Sequence, residues 1–175
     1  MSLVELSELE KMKLIYNNKD SIIYYTDIIH SKMNYEIRKL KEEDYYIGFL
    51  ELLEQLTTVS AKEISFVDFV KQYREMKSVI FVIHSFETHK IIGTASVLVE
   101  PKFIHKLGSV AHIEDVVVDE KFRGNGLGEI LIEECIAYAK KNNCYKTILS
   151  CSEKNIEFYQ KCGFDKKNTE MNLYF

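Results

Sequence analysis

The chain has 175 residues and a mass of 20.5 kDa, is 46% hydrophobic, and carries a net charge of -4 with a pI near 5.8. That length suits one domain with a proper core, and the acidic balance excludes nucleic acid as the expected partner. No apolar run approaches the roughly 20 residues of a membrane span, and the four cysteines, Cys135, Cys144, Cys151 and Cys162, make no CxxC pair and have no histidine at zinc spacing. Free thiols, no metal and a reducing, cytoplasmic compartment are therefore expected.

Residues 1–33 stand apart as an N-terminal extension ahead of a domain spanning 34–175. Leu3, Leu6, Leu9 and Met12 recur there at helical spacing. The extension has no basic stretch followed by an apolar core, so it does not read as a secretory signal, and its mixed charges argue against a membrane surface. From Asn34, Tyr35 and Ile37 alternate with Glu36 and Arg38, which predicts a strand. Tyr46, Phe49, Leu50, Leu53 and Leu56 mark a helix, followed by a loop at Thr57 and Thr58. Ser65 with Asp68 starts a second helix, whose buried face is Phe66, Phe69, Val70, Tyr73 and Met76. Residues 79–86 and 91–99 read as a hairpin. After a loop at 101–108 come a strand at 110–118, a glycine-rich turn at 122–128, a helix at 129–141 and a strand at 146–151. A short helix at 155–162 ends at Gly163, well placed as a left-handed cap, and a strand at 171–175 closes the chain. This order implies an α+β (mixed α/β) domain, one central mixed sheet flanked by helices.

The most informative segment runs from Val116-Val117-Val118-Asp119 through Lys121-Phe122-Arg123 to Gly124-Asn125-Gly126-Leu127-Gly128. A buried strand enters three alternate glycines and then a helix. Such glycines let the backbone turn tightly and present its amides, and those amides with the helix dipole suit phosphate oxygens. A Walker loop is excluded, because no Gly-Lys-Ser/Thr occurs, and the spacing is not that of a dinucleotide fingerprint. A glycine turn without ligand stays open on these residues alone.

The pattern Arg-x-x-Gly-x-Gly between a valine-rich strand and a helix resembles the pyrophosphate loop of the GCN5-related N-acetyltransferase superfamily, and the element order of residues 35–175 resembles it as well. The resemblance implies that Arg123, Gly124, Asn125, Gly126, Leu127 and Gly128 hold the pyrophosphate of acetyl-coenzyme A. It implies that the pantetheine arm lies along Val116, Val117 and Val118, with the thioester where two strands splay apart. Further segments occur in order: Gln55-Leu56-Thr57-Thr58, Lys102-Phe103-Ile104-His105, His112-Ile113-Glu114-Asp115, Asn143-Cys144-Tyr145-Lys146, and Asn155 through Phe158-Tyr159 to Gly163-Phe164. Together they look like the eukaryotic glucosamine 6-phosphate N-acetyltransferase family. The implied reaction is acetyl transfer to the 2-amino group of glucosamine 6-phosphate, on the route to UDP-N-acetylglucosamine, by a homodimer.

In that reading Glu114 and Asp115 orient the acceptor amine and help remove its proton. Adjacent residues on a regular strand point to opposite faces, so a bulge is needed for both to reach one substrate. By resemblance Tyr159 protonates the departing thiolate, and Asn155 and Phe158 contact the cofactor. Lys102 and His105 are the cations for the sugar phosphate, and Thr57 adds a hydroxyl. Each has a plainer alternative: a solvated strand end for Glu114–Asp115, a core aromatic for Tyr159, a helix N-cap for Asn155. Two positions depart from the family: Ser150 stands where a carboxylate is usual, and Tyr174 where an arginine is usual. Tyrosine has no equivalent of arginine's bidentate fork. Another amine acceptor, such as a polyamine or a protein N-terminus, and a non-catalytic coenzyme A-binding module are the competing expectations.

Overall fold

A computed structural model describes residues 34–174; the helical spacing of residues 1–33 and the final Phe175 lie outside the described residues. The chain divides into two units, Met1–Glu36 and Ile37–Phe175, and the elements below belong to the second apart from the first two residues of the first strand.

Five strands form one sheet in the order β1-β2-β3-β4-β5. They are β1 (Tyr35–Lys39), β2 (Val79–Ser85), β3 (Lys90–Pro101), β4 (Ser109–Val118) and β5 (Cys144–Leu149). The β2–β3 and β3–β4 pairs are antiparallel and β4–β5 is parallel, so the sheet is mixed, as expected. The runs 79–85 and 91–97 are almost wholly buried because both sheet faces are covered. On one face Val82, Ile80, Ile91 and Val117 join Leu40, Phe49, Leu50, Leu52 and Phe69 in a core cluster. These come from α1 (Phe49–Leu53), α2 (Phe66–Glu75) and the strands. On the other face lies α3 (Leu127–Lys141), whose Leu131 and Ile132 are fully buried. Each such side chain contributes about 2 kcal/mol of burial. Gly93 of β3 lets α3 approach: a Cβ there would sit 3.1 Å from Ile83 and 3.2 Å from Leu131.

The predicted second helix starts where expected: Ser65 Oγ accepts the Asp68 amide at 3.2 Å and donates to its carboxylate at 2.6 Å. The predicted first helix does not run continuously. A 3-10 turn, Glu42–Ile47, precedes the five-residue α1, and Gly48 at φ 89 separates them. A left-handed residue cannot continue a right-handed helix. The strand expected at 146–151 begins two residues earlier, and the short helix, α4, spans Ile156–Lys161 with Gly163 left-handed at φ 91. The closing strand is a correction: residues 171–174 pair with nothing in the sheet, and Met171 and Tyr174 are 91% and 88% exposed. Among the described residues no strand pairs with their apolar alternation. Among the described residues no helix is long and apolar enough to cross a membrane.

Candidate active site

The site grows from a mismatch in strand length. The parallel pairing of β4 with β5 ends at Ile113↔Leu149, while β4 continues to Val118. Residues 114–118 therefore present one backbone edge that β5 does not cover. A sheet edge of this kind takes an extended ligand as it would take a strand.

A bulge lies at the head of that edge. Ser96 of β3 faces Glu114, but Thr94 faces Val117, so three steps on β4 match two on β3. Asp115 is the strained residue, at φ 53. The bulge re-aims the strand and leaves both carboxylates exposed. Ser96 Oγ donates to the Glu114 carbonyl at 3.2 Å. Asp115 borders a mainly apolar cavity of about 140 Å³ lined also by Leu50, Leu53, Tyr73 and Thr94. Burial pushes the Glu114 carboxyl above its ordinary range; Asp115 and Glu170 push the same way, and His112 pulls it back. A carboxylate so placed is a stronger base than one in water.

At the far end of the edge lies the glycine turn. Gly124 and Gly126 have φ of 80 and 77, which only glycine adopts without strain. Gly128 is needed for space: a Cβ would stand 3.0 Å from the Phe158 ring. The first bond closing α3 runs from the Ile130 amide to the Gly126 carbonyl at 3.2 Å. The amides just before it have no partner within the helix. Arg123 Nε donates to the Val118 carbonyl at 2.9 Å, and Asn125 Nδ2 to the Phe122 carbonyl at 3.0 Å, which fixes the loop. Val117 and Leu127 are buried at 5% and 4% exposure, so their side chains serve the core and only their backbone faces the site.

Tyr159 on α4 is buried, with Phe158 and Phe164 edge-on to its ring at 4.9 and 6.2 Å. Burial pushes its phenol up to about 12, with Cys151, Cys162 and Glu114 adding to the shift. Asn155 holds the N-cap position of α4 but its side chain makes no capping bond, which leaves that amide for another partner.

The expected acceptor contacts are spread over separate loops. Thr57 lies in the exposed loop after α1, lining an open cleft with Gln55 and Thr58. Lys102 forms an ion pair with Glu100. His105 stacks on Tyr145 at 4.1 Å, inside a turn where His105, Lys106 and Leu107 all have left-handed φ. Gly108 permits this turn, because a Cβ there would meet Tyr145 at 2.9 Å and the His105 carbonyl at 3.0 Å. Three residues with no assigned role tie the site together. Gln55 donates to Asp119 at 3.0 Å and accepts the Glu120 amide at 2.9 Å, joining the Thr57 loop to the approach of the glycine turn. Glu100 holds His112 as well as Lys102. Gln55 and His112 lay inside quoted motifs, but only the tertiary contacts reveal what they hold.

The sequence pattern of the acetyltransferase (GNAT) family matches residues 34–164. The glucosamine 6-phosphate N-acetyltransferase of Arabidopsis thaliana is 42% identical over 146 residues, covering 81% of this chain and 97% of the plant protein. The enzyme of that name from Candida albicans is 40% identical over 145 residues, covering 81% of this chain and 96% of its own length. The crystal structure of the Arabidopsis enzyme matches this fold with a TM-score of 0.78 at 41% identity, covering 81% of this chain and 98% of that one.

Proposed function

The chain belongs to the acetyltransferase (GNAT) family, and from that premise we propose that it transfers an acetyl group from acetyl-coenzyme A to the 2-amino group of glucosamine 6-phosphate. The observation that carries this reading is the uncovered edge of β4, with bulged carboxylates at one end and the glycine turn at the other. It stands in a chain 42% identical to a plant enzyme of that activity across 97% of its length.

The cofactor supplies the activated acetyl thioester. The amides of the glycine turn with Arg123 suit its pyrophosphate, and the backbone of Val116 to Val118 suits its extended arm. A Cβ at Gly124 or Gly126 would meet nothing within 4 Å, and this open space beside the loop backbone supports the fit. Glu114 and Asp115 receive the acceptor's amino group. An ammonium cannot attack a carbonyl, so its proton must leave first, and the raised basicity of Glu114 favours its taking that proton. Tyr159 keeps its own proton throughout the neutral range. Full transfer to a thiolate of ordinary pKa would be uphill by roughly three pH units. Tyr159 therefore assists by donating a hydrogen bond to the departing sulfur rather than by giving up its proton. Lys102, His105 and Thr57 meet the sugar phosphate, and the protein acts as a cytoplasmic homodimer on the route to UDP-N-acetylglucosamine.

The test is release of free thiol from acetyl-coenzyme A by the pure protein. Turnover with glucosamine 6-phosphate well above that with glucosamine supports the assignment. Preference for an unphosphorylated amine such as spermidine would replace it with the reading that Ser150 and the 88%-exposed Tyr174 favour, another acceptor in the same family.

A further inference from the structure

Glu100 is absent from the set assigned above, yet it is fixed by two basic side chains. One oxygen pairs with Lys102 Nζ and the other lies 2.9 Å from His112 Nε2. Across the β3–β4 pair Glu100 faces Val110, Leu98 faces His112 and Ser96 faces Glu114. Residues opposite one another, and residues two apart on a strand, share a face. His112 and Glu114 are thus neighbours on one face of β4, before the bulge at Asp115, and Glu100 reaches His112 from β3.

The other charged groups are accounted for. Glu114 is influenced by Asp115 on its own strand and by Glu170 in the C-terminal segment, and it in turn influences Tyr159 of α4. Ser96 meets it from β3 with a neutral hydroxyl. On β5, Lys146 stands opposite Val110 and so on the face of His112. Among the groups that act on Glu114, Asp115 and Glu170 raise its pKa and His112 alone lowers it.

We infer that Glu100 is a positioning residue for acetyl transfer: its carboxylate holds the His112 ring beside Glu114 and so sets the charge that the base works against. The inference rests on Glu114 being the base proposed above. The Glu100 carboxylate fixes the ring in place, and the ring so held favours ionised Glu114. Glu114 accepts a proton only when ionised, so activity is lost as pH falls through its titration. Removing the Glu100 carboxylate releases the ring from beside Glu114, Glu114 binds its proton at higher pH, and the acid limb moves up.

The experiment titrates the Glu114 carboxyl carbon by NMR in glutamate-labelled protein, with the signal assigned by Glu114→Gln, and records the pH profile of kcat/KM beside it. Glu100→Gln, His112→Gln and the double variant are compared with the wild type. Each single substitution raises the Glu114 midpoint and the acid limb by about half a pH unit, the size of one partly exposed charge pair. The double variant goes no further than His112→Gln, and plateau kcat stays within about threefold of wild type. A midpoint that does not move, or displacements that add in the double variant, overturns the proposal; so does a lowered plateau with the limb in place, the mark of a merely structural brace. A moved midpoint in a protein that does not acetylate glucosamine 6-phosphate upholds the positioning role and overturns the acceptor assignment instead.

Discussion

The Tyr159 hydroxyl is a group through which the proposed chemistry can be separated from binding. Tyr159→Phe keeps the ring packing against Phe158 and Phe164 and removes only the donor. Turnover should fall about 100-fold, the scale of one lost hydrogen bond to charge that develops in the transition state, while the dissociation constant of coenzyme A by calorimetry changes less than about threefold. Equal turnover in the variant would remove Tyr159 from the mechanism. Because burial pushes the phenol up to about 12, its protonated form persists well past neutrality. The alkaline side of the rate profile between pH 7 and 9 should therefore show no loss due to Tyr159 in either kcat or kcat/KM. Residues of this kind were legible early, because Glu114 with Asp115, and Tyr159 with Asn155, sit in short continuous motifs. Gln55 bound to Asp119 was not, since 64 positions separate the partners. The pair Glu100–His112 was hidden for a related reason: hairpin register, not spacing, brings it together.

At the scale of elements, the glycine turn yields a prediction that separates ligand from fold. Gly128 has ordinary helical backbone, so alanine there costs the helix nothing. The added methyl meets the Phe158 ring at 3.0 Å and lies at ordinary contact distance, 3.9 Å, from Val118. Gly128→Ala should weaken coenzyme A binding about tenfold, close to 1.4 kcal/mol, by displacing that ring toward the loop amides. The melting temperature should stay within a few degrees; unchanged affinity by calorimetry would place the cofactor elsewhere. The opposite behaviour is expected at the 3-10 turn after β1. Asp44 is 1% exposed and accepts two hydrogen bonds of 2.7 Å from Arg38 and one of 2.8 Å from the Lys41 amide. Asp44→Ala removes both carboxylate bonds to Arg38 and the bond to the Lys41 amide, and should cost roughly 3 kcal/mol in urea unfolding, with cofactor affinity of the folded fraction unchanged. Strands and long helices were readable here because β-branched runs and the Ser65 cap state their own geometry. The broken first helix was not, because Tyr46, Phe49, Leu50 and Leu53 keep helical spacing across Gly48, and spacing does not report a φ of 89.

For the whole molecule, the surface carries more apolar side chain at one group of segments than a lone chain needs. Phe103, Ile104 and Leu107 of the left-handed turn are 95%, 61% and 73% exposed, and Leu98 and Ile148 are also exposed on the sheet face shared with His112. Met171, Leu173 and Tyr174 continue the series in the C-terminal segment. The alternating pattern at 171–175 suits a strand, and among the described residues no strand pairs with it; a second copy would. Burying such residues favours association by about 25 cal/mol per Å² of apolar surface, offset by the cost of ordering two chains. The expected result is a homodimer, with twice the 20.5 kDa chain mass by light scattering at micromolar protein. Phe103→Asp places a charge in the covered patch and should give the monomer mass with an unchanged circular dichroism spectrum. Because Lys102 and His105 flank Phe103 and Ile104 in sequence, the monomer should also show a raised KM for glucosamine 6-phosphate. Its affinity for coenzyme A, held by β4 and the glycine turn of a single chain, should be retained. A wild-type protein that scatters as a monomer would refute the dimer, and a Phe103→Asp dimer with normal KM would move the interface away from this turn.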